Sequence, residues 1–196
     1  STEALFPAGI YDIKAAIRWV RANATKYNID TSHIIIAGFS AGGEMAAFMG
    51  TAGNMPLFEG TGCTSPFQSH ANAVIDIDGT LSFGHPDGRE GDDSKSISAA
   101  TYWFGYSKKD NPILWEAASP LSYVSSQTPP TLFINSAVPW MHAGREAYIK
   151  TLSQYNIYTE VQSFDEAPHS FCLFNPWFAP TIKYIDTFIQ KIFPNK

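Results

Sequence analysis

The stretch from Ile34 to Met49 constrains this chain more than any other. Ile34-Ile35-Ile36-Ala37 is short, β-branched and wholly apolar, the pattern of a strand buried on both faces of a parallel sheet. Gly38-Phe39-Ser40-Ala41-Gly42-Gly43 follows at once, and Glu44-Met45-Ala46-Ala47-Phe48-Met49 continues as a helix. Strand, Gly-x-Ser-x-Gly and helix in immediate succession make a sharp turn with a serine at its tip. Such a turn brings the strand and helix backbones nearly into contact, so glycines flank the serine. The Ser40 hydroxyl then projects above the sheet at a helix N-terminus. There the Ala41 N–H and the helix dipole face any negative charge that develops on a reacting oxygen.

The rest of the chain alternates helix and short apolar strand, which argues for a single α/β domain over 1–196 with a mainly parallel sheet flanked by helices. Ile10, Ile13, Ala16, Ile17 and Val20 recur at helical spacing up to about Ala24. Further strands are expected at 73–78, 131–135 and 159–164. Helices are expected at 97–106, 112–118, 142–155 and 177–192, the last with an apolar face of Ile182, Tyr184, Ile185, Phe188, Ile189 and Ile192. The stretches 51–71 and 84–96 read as polar loops rich in Gly, Pro, Asp and Ser.

A serine hydroxyl attacks only when a base takes its proton. Of His33, His70, His85, His142 and His169, only His169 follows the last strand and precedes the terminal helix. It is the expected base. His33 starts the strand before Ser40, at the wrong end of the sheet, whereas His85 and His142 fall in loops beyond strand ends and are candidates for substrate contact. The acid that orients the base is expected between serine and histidine along the chain. The segment just after strand 131–135 has no carboxylate. Asp78, at the end of strand 73–78, is the favoured acid, with Glu146 as the alternative. Asp76, Asp87 and Asp165 are weaker candidates, Asp76 because its side chain is expected to point elsewhere.

Composition narrows the partners. With 44% hydrophobic and 16% charged residues the chain has a globular make-up, and its net charge of −5 comes without a Lys/Arg cluster. Nucleic acid and anionic membranes are therefore poor partners, and no apolar run reaches the length of a membrane span. Cys63 and Cys172 fit no zinc or redox spacing and are expected as free thiols; no metal or organic cofactor is implied. Trp103, Trp115, Trp140, Phe171, Trp177 and Phe178 are expected mainly in the core, some lining a pocket. The chain opens at Ser1 without Met or a signal peptide, as a processed or trimmed product would.

Phe6-Pro7-Ala8, Asp12 to Asn23, Tyr27-Asn28-Ile29-Asp30 and Gly38 to Gly43 resemble bacterial α/β-hydrolase serine esterases. The tail, Pro168-His169-Ser170-Phe171 through Asn175-Pro176-Trp177-Phe178, is similar to a subgroup acting on plant polysaccharides: acetyl xylan, pectin acetyl and feruloyl esterases. The resemblance implies Ser40 as nucleophile, His169 as base, the Ala41 N–H as an oxyanion donor, an acylated oligosaccharide as substrate and a periplasmic or secreted setting. It also implies four earlier strands and a His-Gly-Gly loop with a further oxyanion N–H. The strands present here would then be strands 5 to 8 of the α/β-hydrolase sheet. Strand 34–37 would lie at an open edge, to be covered by an N-terminal segment, a second chain or a homodimer partner. A lipase or peptidase on the same scaffold, or a non-catalytic remnant serving as an interaction module, are the competing readings.

Overall fold

Four five-residue segments carry the sheet: β1 (Ile35–Phe39), β2 (Ala73–Ile77), β3 (Thr131–Asn135) and β4 (Thr159–Ser163). A computed structural model describes residues 2–60 and 66–194. The strands are all parallel and run in the order β1-β2-β3-β4. Register pairs Phe39 with Ile77, Ile77 with Ile134, and Asn135 with Ser163, so the four strands end level at one rim. Every residue of β2 and β3 is buried. Among the described residues the apolar β1 has only β2 beside it and is partly exposed, at the open edge that the resemblance implied.

Helices connect and cover the strands. These are α1 (Ala8–Ala22), α2 (Ala24–Tyr27), α3 (Ala41–Ala52), α4 (Ala99–Phe104), α5 (Pro112–Ala117), α6 (Arg145–Gln154) and α7 (Phe178–Ile192). Ser98 caps α4 by accepting the Thr101 N–H at 3.1 Å, and Asn111 caps α5 ahead of Pro112, both ordinary N-terminal devices. The sheet face of Ile75, Ile77, Leu132 and Ile134 packs against Phe171, Cys172 and Phe188 of the α7 side. On the other face, Phe133 and Ala47 meet Tyr148 and Leu152 of α6. Beyond α3, Phe6, Phe48, Phe58, Phe104 and Trp115 form an aromatic cluster, with Phe48 edge-on to Phe6 at 5.7 Å and to Phe58 at 4.9 Å.

Some helical faces differ from those expected. On α1 the buried positions are Ile10, Lys14, Ile17 and Arg18, while Ala16 is exposed. Lys14 and Arg18 turn inward because both meet the Glu59 carboxylate. Burial, then the neighbouring Arg18 charge, lowers the Lys14 ammonium to about 8. On α7, Tyr184, Ile185, Phe188, Ile189 and Ile192 face the core as expected, but Ile182 and Phe178 are about half exposed. Trp115 and Phe171 are core residues. Cys172 is a buried free thiol whose pKa is raised by burial; Cys63 lies outside the described residues.

Phe48 has no exposed surface and sits where α1, α3 and the 56–58 turn converge. Phe48→Ala is expected to cost about 3–5 kcal/mol, measurable as a lower urea midpoint with an unchanged slope.

Candidate active site

The site is built at the rim where β1 and β2 end. Phe39 closes β1, Ser40 follows with φ 58° and ψ −122°, and α3 begins at Ala41. A non-glycine residue at positive φ is strained. Two hydrogen bonds hold it: Ser40 N–H to the Ile77 carbonyl at 2.8 Å, and the Glu44 N–H to the Ser40 carbonyl at 3.0 Å. The glycines are not equivalent. A Cβ at Gly38 would overlap the Gly42 carbonyl group, and one at Gly43 would overlap the Asp76 carboxyl. A Cβ at Gly42 would meet nothing. The strand-side glycine thus permits the turn, whereas Gly42 matters for its backbone position and not for its missing side chain.

His169 reaches the serine from the loop between β4 and α7. Its Nε2 lies 2.8 Å from Ser40 Oγ and its Nδ1 2.9 Å from Asp78 Oδ2. The ring rests against Phe39, with centroids 4.8 Å apart. Asp78 is fully buried. Its Oδ1 accepts the Ser136 N–H at 2.8 Å and the Asn135 amide at 3.5 Å. Arg145 in turn donates to Asn135 Oδ1 at 2.6 Å. Ser40, His169 and Asp78 therefore lie in one hydrogen-bonded line, with the Ala41 N–H at the helix N-terminus beside it.

The other candidates fall elsewhere. Glu146 is exposed and paired with Arg145 at 2.7 Å. Asp87 is exposed near His85, 3.6 Å away, and Asp165 is exposed. His33 pairs with Asp30 at 2.6 Å, at the opposite end of β1. His142 is partly buried near Arg145 and Asp78, with its pKa lowered first by burial and then by the Arg145 charge. Asp76 does point away from His169: its Oδ1 accepts the Gly79 N–H at 2.8 Å. The reason corrects the expectation. Residues two apart share a face of a regular strand, and the pair separates because β2 ends at Ile77 and Asp78 takes φ 52°.

Sequence reasoning passed over two carboxyl groups, Glu44 and Glu90. Both line a cavity of about 420 Å³ that also touches Ser40, Ala41, Met45, Phe83, Trp103 and Met141. At the position next to Met141, Trp140 has the Arg89 guanidinium over its ring at 4.2 Å. The available signal for Glu44 was its place four residues after Ser40, one helical turn along α3.

Gly38→Ala should abolish folding or lower the melting temperature by more than about 10 °C, whereas Gly42→Ala should be neutral or stabilising by up to about 1 kcal/mol; thermal unfolding of the two proteins side by side decides it. Burial also holds the Asp76 carboxyl well above its usual range, with the Asp78 charge adding to the rise. A carboxyl whose folded pKa exceeds its unfolded one contributes stability that is complete below about pH 4 and is lost as pH rises through the folded value. Asp76→Asn keeps an acceptor for Gly79 and removes this titration. The melting-temperature advantage of Asp76→Asn over the parent should therefore be larger at pH 8 than at pH 5.

The chain is similar to known esterases. The chain is 34% identical over 131 residues to Esterase LipQ of Mycobacterium tuberculosis, covering 66% of this chain and 30% of that protein. It thus spans about a third of the length of that esterase. A solved truncated carbohydrate esterase from gut microbiota superposes with a TM-score of 0.79 at 27% identity, over 96% of this chain and 71% of the other. A bifunctional GH43-CE protein from Bacteroides eggerthii gives 0.77 at 28% identity, over 96% and 26% respectively. The parallel sheet flanked by helices is the α/β-hydrolase fold of such esterases. The family model described as BD-FAE matches residues 1–138 of the 196, and the chain belongs to that family.

Proposed function

We propose that the protein is a serine carboxylesterase that removes acetyl or feruloyl-type groups from acylated carbohydrate. The observation that carries this reading is the line of hydrogen bonds from Asp78 through His169 to Ser40, opening on an apolar cavity. In the proposed cycle Ser40 Oγ attacks the ester carbonyl while His169 Nε2 takes its proton. Buried Asp78 holds the Nδ1–H and stabilises the imidazolium. Negative charge on the carbonyl oxygen is met by the Ala41 N–H at the positive end of α3. The tetrahedral species collapses to an acyl-Ser40 ester as His169 gives its proton to the departing alcohol. Water then repeats the sequence: His169 takes its proton, hydroxide oxygen joins the acyl carbon, and Ser40 leaves with the proton from His169.

Support for a carbohydrate substrate comes from two directions. The 27%-identical structural relative is named as a carbohydrate esterase. Trp103, which lines the cavity, offers aromatic surface of the kind that suits a sugar ring.

Hydrolysis of p-nitrophenyl acetate tests the catalytic part. Ser40→Ala and His169→Ala should lower kcat by about 10⁴–10⁶, and Asp78→Asn by about 10⁴. Glu146→Gln should stay within about threefold of the parent, because its carboxylate is exposed and bound to Arg145. A correctly folded parent that neither turns over ester nor is labelled at Ser40 by a fluorophosphonate would end the esterase reading.

A further inference from the structure

The cavity beside Ser40 is lined in part by Glu44, whose buried carboxyl group the acyl-transfer chemistry does not use. Glu44 sits one turn into α3, its N–H on the Ser40 carbonyl at 3.0 Å. It is 2% exposed, and neither carboxyl oxygen has a hydrogen-bond partner among the described residues. It carries no ion pair among those residues either, unlike buried Lys14 and Arg18, which share Glu59. Around it the wall is made by groups such as Met45, Phe83, Trp103 and Met141, with Glu90 the other carboxyl present.

A buried polar group without a partner is costly. Where such a group lines a ligand cavity, the substrate is the natural source of the missing hydrogen bonds. We propose that Glu44 is a specificity-determining residue, and that its carboxyl hydrogen-bonds a hydroxyl on the part of the ester seated in this cavity. The proposal rests on the esterase reading of Ser40 and adds to it the chemical class that the neighbouring cavity selects.

A hydroxyl suits the site better than a charged group does. Burial, then the charges of Asp76 and Glu90, hold the Glu44 carboxyl well above the usual range. A neutral carboxyl both donates and accepts, and so does a hydroxyl. An ammonium group would require Glu44 to ionise in an apolar setting, and a carboxylate would add a further negative charge beside Asp76 and Glu90. The plain hydrocarbon analogue leaves Glu44 unpaired, and discrimination against it is the signature of a site built to bind a hydroxyl.

Two matched ester pairs read this out, one varied in the acyl group and one in the alcohol. They are p-nitrophenyl 3-hydroxybutyrate against p-nitrophenyl butyrate, and 3-hydroxybutyl acetate against butyl acetate. For at least one pair, kcat/KM should favour the hydroxylated member by about tenfold or more. Glu44→Leu should collapse that ratio to near one, and Glu44→Gln, which keeps a donor and an acceptor, should hold it within about threefold. A merely structural role would lower both members of each pair together and leave the ratio intact. That outcome overturns the proposal, as does a parent with no preference in either pair.

Binding to the Ser40→Ala protein keeps this separate from catalysis. Calorimetric titration with butane-1,3-diol and butan-1-ol should show preference for the diol, lost when Glu44→Leu is added. Diol preference without any turnover or fluorophosphonate labelling of the parent would retain the Glu44 subsite and reject the esterase reading. Labelling and turnover with no diol or hydroxy-ester preference would do the reverse. Should Glu44→Leu fail to fold, the parent's preference in the ester pairs and its loss in Glu44→Ala decide the matter.

Discussion

The absence of a side chain at Gly38 is the constraint on which the rest of the site depends. Only with hydrogen there can the last turn of β1 lie against the Gly42 carbonyl and let α3 start one residue after Ser40. The backbone strain at Ser40 is held by its N–H on Ile77 and its carbonyl on the Glu44 N–H. Those bonds tie the serine to both the neighbouring strand and the helix. Because β2 is buried along its whole length and pinned between β1 and β3, the serine inherits the rigidity of the sheet centre. Preorganisation of this kind keeps a nucleophile and its base at working distance without reorganisation during reaction.

The same strand end sorts two aspartates into different surroundings. Asp76 remains in the strand and faces the α3 side. Its carboxyl lies close to Gly43 and Gly79, and one oxygen has no partner among the described residues. Asp78, past the strand's end, turns by its left-handed backbone toward the rim, where Ser136, Asn135 and His169 supply its hydrogen bonds. One carboxyl is surrounded by donors and the other is largely stripped of them. The residue type is identical, and the difference comes from a single backbone rotation. Crowding of Asp76, Glu44 and Glu90 on the α3 side concentrates carboxyl groups near an apolar cavity, and burial makes each reluctant to ionise.

Much of this was legible in the residues. The apolar run at 34–37 followed by glycines and a helix identified the turn, and β3 falls on 131–135 as its pattern requires. His169 stood out because no other histidine follows the last strand. What escaped was decided by contacts between segments distant in sequence. Periodicity marked Ala16 and Ile182 as core positions, but Lys14 and Arg18 are drawn inward by Glu59, forty residues or more away. Hydrophobic pattern cannot register an ion pair that buries long cationic side chains. The apolar run of β1 looks the same at a sheet centre and at its edge, and it was the strand order implied by the resemblance that placed it at the edge, where it lies. Glu44 was passed over because nothing in the pattern of a helix opening Ala41-Gly42-Gly43-Glu44 marks its carboxyl as buried.

The choice between Asp78 and Glu146 turns on the spacing of adjacent strands. The usual place for the acid in such esterases is just after the strand corresponding to β3, where this chain has Asn135 and Ser136. Parallel neighbours lie about 5 Å apart, so an acid moved to the end of β2 remains within reach of a histidine hanging over the rim. Register makes the exchange nearly level: Ile77 pairs with Ile134, and the Asp78 N–H bonds to the Ile134 carbonyl at 3.0 Å. Asn135 and Ser136 then serve a different purpose. Instead of supplying a carboxylate, the β3 terminus supplies donors to one, the Ser136 N–H at 2.8 Å and the Asn135 amide at 3.5 Å. Arg145 holds Asn135 by its oxygen at 2.6 Å, which turns the amide nitrogen toward Asp78. A buried carboxyl group left without such donors would carry a large desolvation cost. Glu146 lies one residue further along α6 but is exposed and engaged by the same arginine. The arginine thus supports one acid through Asn135 while holding the other at the surface.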